Sequence, residues 1–205
     1  PAVIMKMSSG FNSTMKVPGN RVRNSLLNVN LTDWTLPSLS LFGIRTGALL
    51  DLKLHTALEA FNLDVTGLTC ADLGCSTGGF VDCLLQHGAK HVYAVDTAYG
   101  QLAWKLRQDP RVTVLERSNA LHLPPVAPCD LVTLDLGWTP QRLAIPAANR
   151  WLKANTDPSE VNPEARIVSL IKPHYESPAK AFQGPKKGKL TDEQALAVTD
   201  KVIQD

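Results

Sequence analysis

A glycine-rich loop at residues 71–80 has the residue types and the spacing of a nucleotide-binding turn. It reads ADLGCSTGGF and joins a predicted buried strand to a predicted helix, which is where a parallel sheet exposes its carboxyl ends to ligands. Gly74, Gly78 and Gly79 permit positive φ angles and close approach of a ligand to the backbone. A tight turn that binds nothing is the alternative explanation.

An acidic residue at the end of the next predicted strand favours the ligand. Asp96 lies 24 residues beyond Asp72, close to the separation at which a carboxylate reaches a ribose hydroxyl pair. Gly74 is followed by three other residues before the next glycine, whereas a dinucleotide-binding loop needs Gly-x-Gly-x-x-Gly. The carboxylate of Asp72, two residues before Gly74, could bind the cationic end of a cofactor. These features favour S-adenosylmethionine, which carries a sulfonium and an ammonium and has no pyrophosphate.

Further contacts to this cofactor are expected from the loop and from later strand ends. Asn119 could donate to or accept from an adenine edge, although it could equally be an ordinary loop asparagine. Phe80, Tyr99 and Trp104 could flank the adenine, but aromatic residues on such helices usually belong to the core. The predicted cofactor-binding residues are Asp72, Gly74, Cys75, Ser76, Thr77, Gly78, Gly79, Phe80, Asp96, Asn119 and Asp135.

Three charged residues could converge beside this loop and act on a substrate hydroxyl. Asp135 ends one predicted strand, Lys172 ends another, and Lys53 lies on the helix before the first strand of the alternating pattern. Charged groups at the ends of apolar strands are costly to bury unless they are paired, so we expect an ion pair between Asp135 and Lys172. A purely structural salt bridge is the alternative.

Methyl transfer to a hydroxyl needs alignment and removal of the hydroxyl proton. A lysine can accept that proton only if burial or a neighbouring cation lowers its pKa. We predict Lys172 as the base or the group that orients the hydroxyl, Asp135 as the carboxylate that positions it, and Lys53 as a second cation. The sequence leaves open which lysine takes the proton.

The elements that must hold these residues alternate between strand and helix. A helical repeat of apolar residues begins near Leu50 and ends near Asn62, and strands and helices then follow in turn. This alternation predicts an α/β fold with a doubly wound, mostly parallel sheet, similar to a Rossmann fold. The predicted strands are residues 69–73, 91–95, 112–115, 131–136 and 167–171, and the predicted helices are residues 50–62, 79–88, 102–107, 144–154 and 191–203.

The length of 205 residues is that of one ordinary domain. Residues 1–44 are predicted to form an irregular basic extension, and residues 45–205 the catalytic domain. Because the pattern stops one helix after the fifth strand, the edge strands found at the C-terminus of many such sheets could be lacking. The composition, with 44% hydrophobic and 20% charged residues, and the lack of a long apolar run indicate a protein that does not span a membrane.

Cysteine and charge patterns add two expectations. Four cysteines without Cys-x-x-Cys spacing suggest reduced structural thiols in a cytoplasmic protein and no metal site. The net charge of +2 is too small to argue for nucleic acid. Its basic residues are nevertheless clustered, at Lys6, Lys16, Arg21 and Arg23, and again at Lys186, Lys187 and Lys189.

Five short motifs are found between residues 45 and 176: STGGF at residues 76–80, AVD at 94–96, YGQLAWKLR at 99–107, DPRV at 109–112, and IKPHYE at 171–176. With these motifs, residues 45–176 resemble the TlyA branch of the FtsJ-like ribose 2'-O methyltransferases. The run that begins at Tyr99 is distinctive of that branch, whereas many methyltransferases share the glycine loop.

The resemblance implies that ribosomal RNA, or a ribosomal subunit, is the substrate and that a Lys-Asp-Lys-Glu set is catalytic. Lys53, Asp135 and Lys172 match its first three members. The fourth, a glutamate in the family's final strand, has no counterpart, since Glu176 belongs to the motif after Lys172 and Glu193 to a helix. Residues 1–44 do not show the small S4 RNA-binding domain that is usual in the branch.

Three other functions stay open from the sequence. The chain could methylate a protein or a small molecule instead of RNA. It could be a nucleotide-dependent oxidoreductase, which the glycine spacing disfavours. It could also be a non-enzymatic RNA-binding or lytic protein, because the TlyA name is associated with haemolysin activity.

Overall fold

A single sheet of parallel strands organises the chain. The structure is a computed structural model that describes residues 2–8, 26–30, 48–153, 165–176 and 190–204. Its strands are β1 (Ala2–Ser8), β2 (Leu26–Asn30), β3 (Thr69–Leu73), β4 (His91–Val95), β5 (Val112–Leu115), β6 (Leu131–Leu134) and β7 (Arg166–Ile171). Its helices are α1 (Ala48–Ala60), α2 (Gly79–Gln86), α3 (Trp104–Arg107), α4 (Gln141–Asn149), α5 (Pro173–Glu176) and α6 (Asp192–Gln204).

The strand order β2-β1-β7-β6-β3-β4-β5 creates a crevice at the middle of the sheet. Each neighbouring pair of these strands runs parallel. After β3 the chain continues outward through β4 and β5, and it then returns to place β6 on the other side of β3. The loops that leave β3 and β6 therefore diverge, which is the point where open α/β sheets bind their ligands.

Two apolar clusters cover the two faces of the sheet. Alternate residues of a strand point to opposite faces, so Cys70 packs in a cluster with Leu54 of α1 and Leu84 of α2. Leu73 belongs instead to a cluster with Ala148 of α4 and the buried ring of Trp151. This arrangement confirms the predicted doubly wound α/β fold.

Most elements from residue 48 onward match the predicted ones to within two residues, but α5 was not predicted and α4 differs more. α3 begins at Trp104, two residues later than expected. α4 spans Gln141–Asn149 where the pattern predicted residues 144–154. Its start follows Pro140, which takes the N-cap position with φ −70° and ψ 151°. Residue 154 lies outside the described residues.

The prediction of an irregular N-terminal extension is wrong for the part that the structure describes. β1 pairs with β7 from Ala2 opposite Ile167 to Lys6 opposite Ile171, and β2 pairs with β1. The other residues of 1–44 lie outside the described ranges, as do Lys186, Lys187 and Lys189.

The last helix begins with a reciprocal side-chain cap. The Thr191 hydroxyl oxygen accepts the Gln194 amide at 3.2 Å, and the Gln194 side-chain oxygen accepts the Thr191 amide at 3.0 Å. Within the described ranges no helix is both long enough and apolar enough to cross a membrane.

Candidate active site

A cleft of about 630 Å³ opens at the carboxyl ends of the central strands. It lies beside the point where β3 and β6 diverge, as the crevice rule requires. Seven of the residues predicted for cofactor binding or catalysis line it, namely Lys53, Gly74, Ser76, Asp96, Asn119, Asp135 and Lys172.

The backbone at Gly74 lies too close to the next strand end for any side chain. Its φ is +94°, and a Cβ atom there would lie 2.9 Å from the carbonyl oxygen of Asp135. The Gly74 and Cys75 amides both donate to the carbonyl of Val95, at 2.8 and 3.0 Å. The loop is thereby bent over the end of β4, and bare backbone faces the cleft.

Asp96 organises the loop with both carboxylate oxygens. Oδ2 accepts the Ser76 amide at 2.8 Å and Oδ1 accepts the Ala98 amide at 2.8 Å. Ser76 has φ +49°, a left-handed conformation that costs energy for a residue with a side chain. Each oxygen of a carboxylate can accept more than one hydrogen bond, so Asp96 keeps acceptor capacity toward the cleft that it lines.

Asp72 lies beneath the loop and does not line the cleft. Only 1% of the residue is exposed. Its Oδ1 accepts the Thr133 hydroxyl at 2.7 Å, while its Oδ2 has no hydrogen-bond partner among the residues that the structure describes. Burial raises the pKa of Asp72 to about 7, against the lowering effect of the Thr133 hydrogen bond and with smaller increases from Asp135 and Asp96. The structure therefore holds a buried acceptor oxygen that no donor satisfies.

The predicted ion pair between Asp135 and Lys172 is present. The Lys172 ammonium contacts Oδ1 of Asp135, although the geometry at that oxygen is not that of a hydrogen bond, and it donates to the Asp135 carbonyl at 3.4 Å. Lys53 lines the same cleft from α1. Burial lowers the pKa of Lys53; the negative charge of Asp135 opposes this shift and the positive charge of Lys172 adds to it.

The other loop residues predicted to bind cofactor do not line the cleft. Cys75 and Phe80 are buried in the core cluster, and burial raises the pKa of the Cys75 thiol. Gly78 packs against α3, since a Cβ atom there would lie 2.3 Å from Leu106. Thr77 and Gly79 are likewise absent from the lining.

All four cysteines are free and buried. In the part of the chain that the structure describes, no three His, Cys, Asp or Glu residues are grouped so as to hold a metal ion.

Exposed aromatic rings stand at the rim, and the sequence analysis missed the most exposed one. Trp138 lines the cleft, is 86% exposed and has φ +58°. Its ring centre lies 5.0 Å from that of Tyr175. Bulky residues rarely adopt this φ, and only the structure reveals it.

A second aromatic group lies next to the cleft on the side of Asp96. The Arg117 guanidinium stacks 4.3 Å from the ring centre of Tyr99, which is 69% exposed. Their chain neighbours Gln101 and Ser118 line the cleft. Tyr99 is thus neither a core residue nor part of the lining.

Comparison with known proteins decides the family. A model of the family described as FtsJ-like methyltransferase matches residues 51–194, which include Asp72, Asp135 and Lys172. The chain belongs to this family.

Two rRNA methyltransferases are similar to part of this FtsJ-like chain. The 16S/23S rRNA (cytidine-2'-O)-methyltransferase TlyA of Mycobacterium tuberculosis is 47% identical over 127 residues, which are 60% of this chain and 44% of that protein. The 23S rRNA (cytidine-2'-O)-methyltransferase TlyA of Campylobacter jejuni is 30% identical over 146 residues, 71% of this chain and 53% of that one. The chain thus spans about half the length of these relatives.

A solved structure gives the same fold. A candidate hemolysin from Lactococcus lactis is 33% identical and superposes with a TM-score of 0.64, over 75% of this chain and 71% of that one.

Proposed function

We propose that this FtsJ-like chain transfers a methyl group from S-adenosylmethionine to a ribose 2'-hydroxyl of ribosomal RNA. The observation that carries the proposal is the convergence of Lys53, Asp135 and Lys172 on one cleft at the switch point of the sheet. The relatives from M. tuberculosis and C. jejuni are named as enzymes for this reaction on ribosomal cytidines.

The cleft has the features that S-adenosylmethionine needs. Asp96 can accept the ribose hydroxyls, and the bare backbone at Gly74 allows close approach. The unpaired buried Oδ2 of Asp72 fits a cationic group held above it, directly or through water. Asn119 uses its side-chain oxygen for the Leu121 amide at 2.9 Å, so its amide NH2 group can still donate to an adenine. When bound, S-adenosylmethionine supplies an electrophilic methyl group on a sulfonium.

The three charged residues divide the work on the hydroxyl. Lys172 is fixed by its ion pair with Asp135, which suits it to orient the ribose oxygen for in-line attack. Lys53 is the lysine whose burial favours the neutral amine. We therefore assign to Lys53 the acceptance of the hydroxyl proton as the oxygen–methyl bond forms, after which the proton passes to solvent.

The aromatic rim supports RNA as the methyl acceptor. Unpaired RNA bases are commonly held by stacking on aromatic rings and on guanidinium planes. Trp138 offers an exposed ring directly at the cleft, and the stacked pair of Arg117 and Tyr99 offers a cationic aromatic surface nearby.

Tritium transfer from labelled S-adenosylmethionine tests the proposal. Ribosomal subunits, free ribosomal RNA and a mixed protein fraction are offered to the wild type, to Asp135→Ala and to Asp109→Ala. Asp109 pairs with Arg111 outside the cleft, so its variant is the matched control. We expect label in RNA, recovered as 2'-O-methylated nucleoside. Asp135→Ala should lose about 100-fold or more in rate while its cofactor Kd stays within about threefold.

Three outcomes would contradict the proposal or the role of Asp135 in it. Label recovered in protein would identify a different substrate class. Measurable RNA binding without any transfer would favour a non-enzymatic RNA-binding or lytic protein. Equal rates for Asp135→Ala and Asp109→Ala would remove Asp135 from the reaction even if RNA is labelled.

A further inference from the structure

The segments that follow Asp135 and Lys172 are tied to each other by contacts that the catalytic set does not use. The loop at residues 135–141 leads from β6 into α4, and residues 172–176 lead from β7 through α5. Besides the ion pair, they meet in the ring contact between Trp138 and Tyr175. Residues of both segments therefore hold the two strand ends together.

Glu176 makes a further connection between the two segments. Both of its carboxylate oxygens accept the backbone amide of Gln141, each at 3.0 Å. Gln141 is the first residue of α4, and Pro140 at the N-cap offers no side-chain hydrogen bond. Free amides at a helix start favour a carboxylate, so Glu176 serves as the cap that the local sequence does not supply.

Gln141 carries the connection into the core. Its side-chain NH2 donates to the carbonyl of Leu170 at 3.2 Å, and its side-chain oxygen accepts the Ser169 hydroxyl at 2.6 Å. Ser169 and Leu170 lie just before Lys172 in β7. Gln141 is therefore bound by Glu176, which follows Lys172 in the chain, and by Ser169 and Leu170, which precede it.

The burial of the Glu176 carboxylate is energetically unfavourable, which indicates a role other than stability. Burial raises the pKa of Glu176, although the hydrogen bond from Gln141 and the charge of Arg142 oppose the rise. A carboxylate with a net raised pKa reduces stability at neutral pH relative to a neutral side chain. A helix cap chosen for stability alone would not need a half-buried acid drawn from another element.

We propose that Glu176 is a positioning residue, which clamps the start of α4 to the segment after Lys172 and so keeps Asp135 and Lys172 in their reactive arrangement. This inference rests on the proposed function. It assigns a role to a glutamate that does not line the cleft and does not stand in the place of the family's fourth catalytic residue. Loss of the clamp should loosen alignment, which affects turnover more than cofactor binding.

Three substitutions of Glu176 distinguish the effect of its side-chain length from the effect of its charge. Glu176→Gln keeps the length and one acceptor oxygen, Glu176→Asp keeps the charge but is one methylene shorter, and Glu176→Ala removes both. The control is Thr191→Ala, which removes the side-chain cap of α6, an element without residues in the cleft lining. Each variant is assayed for kcat, RNA KM, cofactor Kd and Tm, with Asp135→Ala as the reference for a dead site.

We expect Thr191→Ala to lower Tm by a few degrees without changing kcat. Glu176→Ala and Glu176→Asp should lower kcat by about tenfold or more, with cofactor Kd within about twofold. Glu176→Gln should recover most of the lost kcat. If Glu176→Ala fails to fold, the comparison of Glu176→Asp with Glu176→Gln keeps the test decisive, because the proposal requires the first to lose kcat and the second to keep it.

The proposal is overturned by either of two results in a protein that methylates RNA and loses activity through Asp135→Ala. One is kcat in Glu176→Ala within about twofold of Thr191→Ala. The other is the reversed rescue, in which Glu176→Asp is active and Glu176→Gln is not, because charge and not reach would then be the requirement. Failure of the proposed function itself would appear separately, as an inactive wild type.

Discussion

Asp72 has an environment that is unfavourable for a buried carboxylate in the ligand-free protein. One carboxylate oxygen is satisfied by Thr133 and the other has no partner, although the residue is almost completely buried. Buried acceptors of this kind are rare in native proteins and often mark a functional site. We attribute the arrangement to a cationic ligand group, whose charge would favour the ionised form.

The raised pKa of Asp72 predicts a specific pH dependence of stability in the ligand-free protein. Its folded pKa of about 7 lies above the ordinary value, so its contribution to folding is present below about pH 4 and is lost as the pH rises through 7. Asp72→Asn removes that loss. We expect the Tm of the variant, relative to wild type, to rise by at least about 4 °C between pH 5 and pH 8.

Calorimetry at the two pH values checks this expectation. The control is Asp64→Asn, because Asp64 is exposed and its pKa is lowered by hydrogen bonds from Thr66, which places its transition below pH 5. Its Tm relative to wild type should therefore not change between the two values. A flat difference for Asp72→Asn as well would show that the carboxylate is already ionised and stabilised without ligand.

At the same scale, the sequence could predict which residues end the strands but not which way the loop residues turn. Parallel strands bring their carboxyl ends to one edge, and this rule alone places Gly74, Asp96, Asp135 and Lys172 around one cleft. The loop between β3 and α2 instead alternates between cleft and core. Phe80 points into the core because α2 must cover the sheet, which composition cannot reveal.

The loops between elements show where local pattern fails. The start of α4 was predicted three residues too late, because the residue that caps it, Glu176, lies 35 positions away in the chain. The left-handed conformation of Trp138 has no sequence signal either, since a glycine would be expected there. The residues concerned contact partners in the segment after β7, Glu176 for the start of α4 and Tyr175 for Trp138, and these partners come close only in the folded sheet.

Strain at Trp138 leads to a prediction for the loop after β6. Trp138→Gly should relieve a left-handed conformation that costs about 1 kcal/mol while removing an exposed ring. We expect Tm to be unchanged or higher and the KM for RNA to rise about tenfold or more, in line with the stacking energy of one base. The rise in KM should exceed any fall in kcat.

Steady-state methylation with ribosomal RNA measures this effect. The matched control is Trp104→Ala, since Trp104 is also a highly exposed tryptophan, 74% accessible, but does not line the cleft. An equal rise in KM for both variants would indicate a general effect of surface tryptophans. An unchanged KM for Trp138→Gly would show that the exposed ring does not contact RNA.

For the whole molecule, the alternation of elements was sufficient to predict the sheet from β3 to β7. It failed for β1 and β2, because the segments around Ala2 and Leu26 carry no strong period, and β2 joins the sheet only through β1, whose other partner, β7, lies far along the chain. Edge pairing of this kind is decided by tertiary contact more than by propensity. Local sequence therefore predicted the strands that alternate with helices along the chain, and not the two strands that join the edge of the sheet.

The position of the cleft implies that a bound ligand stabilises the entire sheet. Gly74, Asp96 and Asn119 belong to the side that contains β4 and β5, whereas Asp135 and Lys172 follow β6 and β7. A ligand that contacts both groups links the two sides of the sheet. Its binding energy should then appear as stability of the cooperative unit and not only as local ordering.

Thermal unfolding with S-adenosylmethionine tests this coupling and also the choice of cofactor. At about 100 times its Kd, a ligand that binds only the folded state adds about 2.7 kcal/mol, which is roughly 5–10 °C for a chain of this size. We expect one cooperative transition shifted by that amount, and no shift with nicotinamide cofactors. Asp96→Ala should lose most of the shift at the same concentration, whereas Asp64→Ala, altered in an exposed turn, should retain it.

A larger shift with a nicotinamide cofactor would revive the oxidoreductase alternative. Two separate transitions, only one of them shifted, would mean that the halves of the sheet unfold independently and that the cleft belongs to one of them.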